Sequence, residues 1–332
     1  MKKKFIAVVD SEHVLTMLGV LKRMDLDVYQ ILEQAIMPAD IELYPRNSYI
    51  VTERLQALYN LIMANLSDDE LVDFVEQSTK ENAAKFLKSL DMSDCFTVKE
   101  AVETICANIF KTSLDSNFGI EQQFGRTWFY RKREYCEEPW FLLSELYMVS
   151  VFGELIRQLV ARLWVPAEIC LMTDACHLCQ RLYPEHNIQF YTSREYSALE
   201  IADSLLESPV DEKWQVNFAG AGSQIKKTVS NTLRHALPLY FGEGRPTLEK
   251  AAEITGLTQR TLKRRLNEEG TSYTKLLETM IIDIAKHQLV YGDKPISEIA
   301  FALGYTLSNH FSRAFKRAEG ITPKQYRDIH QS

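Results

Sequence analysis

Between residues 247 and 327 the apolar positions recur at helical spacing, and each run stops at a glycine or a proline. Leu248, Ala251 and Ala252 form a short apolar stripe behind Thr247, a residue type that caps helices well. Gly256 supplies the backbone freedom of a tight turn, Leu257 fills the angle between helices, and Thr258 caps the next helix. That helix, about 259–269, buries Leu262 and Leu266 and turns Arg260, Lys263 and Arg264 outward. The plan then repeats. Ile296, Ile299, Ala300 and Leu303 make a short apolar helix, Gly304 turns, Tyr305 plugs, and a helix follows over 307–319. Its inner face is Phe311, Ala314 and Phe315, and Ser308, Asn309, Ser312, Arg313 and Lys316 point outward. Gly320 is placed to end it, and Thr322-Pro323 opens a last short helix. Residues 272–291 contain one glycine-free, proline-free stripe through Leu276, Leu277, Met280, Ile284 and Leu289. A helix of that length spans about 30 Å, close to the ~34 Å between successive major grooves on one side of B-DNA.

The preceding chain is patterned differently. Val14, Leu15, Leu18 and Leu21 form one helical stripe, 27–37 a second closed by Pro38, and 51–66 a third. Ser67 followed by Asp68, Asp69 and Glu70 predicts an N-cap and acidic first turn for a helix running into Val75. Further helices are expected at 81–90 and, behind the cap Thr97, at 98–110. From Ser116 onward aromatic residues alternate through Phe124, Arg126, Trp128 and Tyr130, which predicts a β-hairpin within 117–135. Glu138-Pro139 breaks it, and a long helix follows over 140–164. A strand at 168–172, a helix at 175–183 and a strand at 187–191 come next, while 195–206 fits either strand or helix.

These patterns predict an α+β chain. A mixed, helix-rich N-terminal domain, 1–210, precedes an all-α domain, 245–332, of two helix-turn-helix units (247–269 and 296–319) joined by a long helix. Between the domains, 211–244 reads as a linker over 211–222, with Ala219-Gly220-Ala221-Gly222, and a connecting helix over 225–240 bearing Lys226, Lys227 and Arg234.

Charge changes the picture. The 332 residues carry a net charge of −7, which suits a DNA binder poorly until it is divided. From Arg245 onward there are 14 Lys+Arg against 10 Asp+Glu, a net of +4, leaving 24 against 35, a net of −11, for the rest. A basic end on an acidic body confines attraction for the DNA backbone to one domain. The apolar run in MKKKFIAVV is too short for a secretion signal, and the apolar region 140–165 is interrupted by Glu145, Glu154, Arg157 and Arg162. A cytoplasmic protein with a buried long helix and no membrane span is therefore expected.

The words GLTQRTLKRRLNEEGTSY, ISEIAFALGY and FSRAFKRAEGITPKQYR, in this order and spacing, resemble the DNA-binding domain of the AraC/XylS transcription regulators. RTLKRRL followed by GTSY looks most like the branch that includes ornithine-utilisation regulators, whose N-terminal domain is named for arabinose binding by analogy. VPAEICL, IQFYT and LLESPV extend a weaker resemblance into the front half. Two positions depart from the branch: Ala318 stands where Trp is common, and Leu307 where a polar residue is usual. The resemblance implies a homodimeric transcription regulator, more often an activator, with double-stranded DNA and RNA polymerase as partners. On that reading Arg260, Lys263 and Arg264 enter one groove, and Ser308, Asn309, Ser312, Arg313 and Lys316 the next. The front domain would sense a small-molecule effector. Alternatively it would serve only for self-association in a regulator controlled by abundance, or bind a protein partner.

Other chemistry is sparse. Arg126, Trp128, Tyr130, Arg131 and Arg133 combine aromatic walls with guanidinium groups, which suits a carboxylate or aromatic effector; Glu145 and Arg157 on the long helix would either face the same pocket or pair within the core. Alternating aromatics also occur in ordinary sheet packing. Cys176 and Cys179 form a CxxC beside Cys170 and His177, a spacing that suits Zn²⁺ or a redox pair, but a structural zinc site would need a second pair. Buried thiols are the expected reading, with no metal and no cofactor. The chain has no G-x-S-x-G, P-loop, GxGxxG or H-E-x-x-H, and the CHLC segment lacks the PCHR pattern of a DNA-repair methyl acceptor. No enzymatic role is expected.

Overall fold

The computed structural model describes residues 6–39, 41, 48–112, 116–184, 186–214 and 228–331. The chain begins with β1 (Val8–Asp10), α1 (Ser11–Arg23), α2 (Val28–Gln34), β2 (Tyr49–Val51), α3 (Thr52–Asn65), α4 (Asp68–Lys88) and α5 (Val98–Thr112). Next come β3 (Asn117–Gln123), β4 (Arg126–Lys132), α6 (Pro139–Val160), β5 (Glu168–Cys170), α7 (Cys176–Arg181), β6 (Gln189–Tyr191), β7 (Ser197–Ile201) and α8 (Asp203–Leu206). The last helices are α9 (Val229–Ala236), α10 (Leu248–Ile254), α11 (Gln259–Glu268), α12 (Tyr273–Tyr291), α13 (Ile296–Ala302), α14 (Ser308–Glu319) and α15 (Pro323–His330). Contacts divide the chain into two compact units. An N-terminal unit comprises Ala7–Ala35 and Arg54–Ile225, and a C-terminal unit comprises Met1–Ile6, Ile36–Glu53 and Lys226–Ser332.

The N-terminal unit is built on a five-stranded sheet ordered β3-β4-β7-β5-β6, antiparallel except for the β5–β6 pair. Side chains alternate across it. Thr127, Phe129 and Arg131 share one face with their partners Ile201, Leu199 and Ser197, and Trp128 and Tyr130 share the other with Ala198. α6 covers the first face: Phe152 stacks on Phe129 with ring centroids 3.7 Å apart. α4 packs on the far side of α6, and the Thr79 and Ser150 hydroxyls pair between them at 2.7 Å. α6 is long and apolar enough to cross a membrane by length and composition, but fifteen of its residues are buried inside this unit.

Four expectations change. The helices predicted around Val75 and at 81–90 are one helix, α4: no Gly or Pro separates them, and Ser78 and Thr79 return their hydroxyls to carbonyls one turn back. Its start is a full capping box between Ser67 and Glu70. Phe124 is not a strand residue. With φ of 51° and 74°, Phe124 and Gly125 form the two-residue hairpin turn between β3 and β4. The ambiguous stretch 195–206 is both, a strand followed by a helical turn. β1 and β2 were hidden among helical stripes because three residues are too few to show alternation.

Within 211–244, the Ala219–Gly222 run and Lys226 and Lys227 lie outside the described residues. The connecting helix ends earlier than the sequence suggests. α9 ends at Ala236, ahead of Pro238, and a 3-10 turn continues from Leu237 to Glu243. α9 is packed into the C-terminal unit. The Glu269 carboxylate accepts from the free N–H groups of Val229 and Ser230 at 2.6 and 2.9 Å, a favourable charge at a helix N-terminus. Arg234 reaches Asp283 on α12 at 3.7 Å, and His235 meets the Tyr49 ring of β2 edge-on.

Candidate nucleic-acid interface

The C-terminal unit is assembled from locally determined helices. Thr247, Thr258, Ser272 and Thr322 each cap a helix by accepting a backbone N–H. Gly256 and Gly304 turn the two helix-turn-helix units in the left-handed conformation, at φ of 62° and 73°. In the first unit Leu262 and Leu266 are fully buried, and Arg260, Lys263 and Arg264 are exposed. In the second, Phe311 and Phe315 are fully buried, Asn309, Arg313 and Lys316 are exposed, and Ser308 and Ser312 are half-buried. All eight residues assigned from sequence therefore lie on the outer side of α11 or α14. The same spacing carried one turn further adds Asn267 and Arg317, both exposed and continuing the two outer faces.

α12, 19 residues long, runs between the two units and spans about 28 Å. Lys286 on α12 holds Glu319 at the end of α14 at 3.2 Å. Tyr305 contacts Phe311 at 5.4 Å, Phe311 contacts Phe315 at 5.7 Å, and Phe315 meets Tyr326 of α15 at 5.4 Å. One aromatic column thus fixes α14 between the turn and the last helix. Arg264 lies 3.7 Å from Glu268, but both side chains are 63% exposed, and such a pair is weak enough to exchange for a phosphate or a base.

α14 differs from α11 at its first turn. Leu307 precedes it with no side-chain cap and is 55% exposed. Leu307→Ser should therefore raise the stability of this unit by about 1 kcal/mol. Chemical denaturation would show it as a higher midpoint, and an unchanged midpoint would count against a usable cap there.

The effector set is divided by the sheet. Arg126, Trp128 and Tyr130 lie on the face away from α6. Trp128 packs with Cys170 and Ala198, flanked by Tyr130, Tyr191 and Tyr196, and Arg126 is paired to Glu168 at 2.6 Å. Glu145 belongs to the opposite side and does not line a common pocket with them. It is 1% exposed and accepts from the N–H groups of Met172 (2.7 Å) and Thr173 (3.0 Å), from the Thr173 hydroxyl (2.5 Å) and from the Ser197 hydroxyl. Its fixed partners make it a structural anchor of α6 to β7 and the turn after β5. Arg131 is buried as well and donates to the backbone and hydroxyl oxygens of Ser144. Cys179 is buried, which raises its thiol far above the ordinary range, and burial pushes Cys170 up to about 11.

Two helix-turn-helix units carried on one long helix, each with a polar and basic outer face, have the arrangement used by DNA-binding domains. A family model described as a helix-turn-helix domain matches residues 251–329. The ornithine utilization regulator of Pseudomonas aeruginosa is 36% identical over 83 residues, covering 25% of this chain and 24% of that protein. The transcriptional activator RhaS of Yersinia pestis is 38% identical over 77 residues, covering 23% and 28%. A transcriptional regulator of Mycobacterium tuberculosis is 38% identical over 171 residues, covering 49% of each. The chain thus spans half or less of the length of these curated relatives. Among solved structures, the regulator CdpR of Pseudomonas aeruginosa aligns over 90% of this chain and 97% of its own, with 20% identity and a TM-score of 0.39. Over residues 251–329, then, the chain is similar to the helix-turn-helix domains of these transcriptional regulators.

Proposed function

We propose that this protein is a cytoplasmic transcription regulator that reads two adjacent major grooves with one chain. Arg260, Lys263 and Arg264 of α11 act in one groove, and Ser308, Asn309, Ser312, Arg313 and Lys316 of α14 in the next. Arg and Lys suit guanine O6 and N7, Asn suits adenine, and the serines suit phosphates or either base. The observation that supports this reading best is the duplication: two helices of different sequence each bury two large apolar residues one turn apart and expose a polar stripe opposite. A single solvated basic helix would need no second copy at the far end of a long helix.

The regulator acts as a homodimer that recruits RNA polymerase as an activator, with the N-terminal unit answering to a small-molecule effector. The effector surface is the sheet face of Arg126, Trp128 and Tyr130, where Trp128 is buried among tyrosine rings and Arg126 is held by Glu168. RhaS is named an activator, which supports that mode here.

Selection from a randomised duplex pool tests the reading: one sequence family should be enriched by the full-length protein. Arg264→Ala should then weaken binding to the enriched sequence by about 1–3 kcal/mol and leave random DNA nearly unchanged. An unchanged ratio would remove Arg264 from the reading face, and no enrichment from the pool would overturn sequence-specific binding itself.

A further inference from the structure

Resting on the two-groove reading, we propose that Arg245 is a positioning residue: it locks the two helix-turn-helix units at one separation and so fixes the spacing of DNA boxes the protein accepts. Arg245 lies immediately before the first unit, yet its contacts are in the second. Its guanidinium carbon stacks 3.8 Å from the centroid of Tyr305, the residue that plugs the second turn. Its Nε–H donates to the carbonyl of Leu303, at the end of α13, at 2.9 Å. A stacked guanidinium with one directed hydrogen bond holds both position and orientation, which a lysine cannot reproduce.

The surroundings are shaped for this contact. Gly304 has no side chain, and a Cβ there would come within 2.6 Å of the Arg245 Cγ. Gly244 sits at φ 104° and ψ −169°, a conformation open essentially to glycine alone, and it aims the chain so that Arg245 turns toward the second unit. The next two residues are tied to the start of α12. The Tyr273 hydroxyl donates to the carbonyls of Pro246 (2.6 Å) and Thr247 (3.2 Å), and Thr247 is the cap of α10. Residues 245–247 therefore join three elements: the first helix of one unit, the head of the connecting helix and the turn of the other unit. α12 sets the reach between the units, and the ties of residues 245–247 hold the two units at that separation. The clamp removes the rotation that remains about that helix.

The test uses the full-length protein and a duplex enriched from the randomised pool, together with versions carrying one base pair added or removed between the two boxes. One base pair turns the second box by roughly 34° and shifts it by ~3.4 Å. The wild type should lose about tenfold in affinity on either altered duplex, and Arg245→Ala should lose only about twofold from a weaker starting value. Arg245→Lys and Tyr305→Leu, milder changes that keep the site filled, should fall between them. Equal loss on all three duplexes, with the wild-type ratio preserved, would overturn the proposal and leave Arg245 as a fold contact only. A wild type indifferent to spacing would overturn the two-groove reading and the clamp with it.

Discussion

Phe311→Ala is expected to unfold the second helix-turn-helix unit and to abolish specific DNA binding. Phe311 is fully buried and sits in the middle of the aromatic column, with Tyr305 on one side and Phe315 on the other. Truncating a buried phenylalanine costs about 3–5 kcal/mol through lost transfer energy and the cavity left behind. That is a large part of the roughly 5–15 kcal/mol that holds a domain folded. The column is also what keeps the stripe from Asn309 to Lys316 facing outward, so the loss falls on the reading surface directly. Thermal denaturation should show the C-terminal unit melting earlier, and binding to the enriched duplex should drop to the level of random DNA. A change below 1 kcal/mol would mean that α14 is held mainly by other contacts.

Glu145→Ala should be comparably severe, but in the other unit. It removes the acceptor for two backbone N–H groups and two hydroxyls around a carboxylate that is 1% exposed. Each buried donor left without a partner costs about 1–3 kcal/mol, so a total above 3 kcal/mol is expected even with partial relaxation. Glu145→Gln should lie between, because its amide group turns donors toward donors on one side. Unfolding followed separately for the two units should place the whole effect in the N-terminal unit, with DNA affinity of the isolated folded fraction preserved. A loss of effector binding without loss of stability would instead restore Glu145 to a ligand site.

The C-terminal unit was legible in the sequence because each of its elements is specified locally. Threonines cap α10, α11 and α15, glycines turn at 256, 304 and 320, and the helical period separates buried Leu262 and Phe311 from exposed Arg264 and Arg313. What escaped reading there depends on distant partners. The Arg245 hydrogen bond to Leu303 joins residues 58 apart, and nothing in the neighbouring sequence distinguishes Arg245 from a solvated cation. The N-terminal unit was less legible for the same reason. Its β5 and β6 strands are three residues long, and its sheet is completed only when β7 pairs with both β4 and β5. Alternation along 126–132 separated Trp128 from Phe129 correctly, but it could not show which face α6 would cover. Of the two places open to Glu145, the pocket or the core, the structure has the core.

The central claim is that one chain occupies two grooves, and a protection footprint of the full-length protein on its enriched duplex, over a salt series, tests it most directly. Two protected major-groove segments per chain, about one helical turn apart on the same face of the DNA, are the predicted result. Protection should weaken as salt rises, in proportion to the phosphates neutralised. Protection of a single groove at every salt concentration would contradict the account, leaving one helix-turn-helix unit to read and the other only to support it.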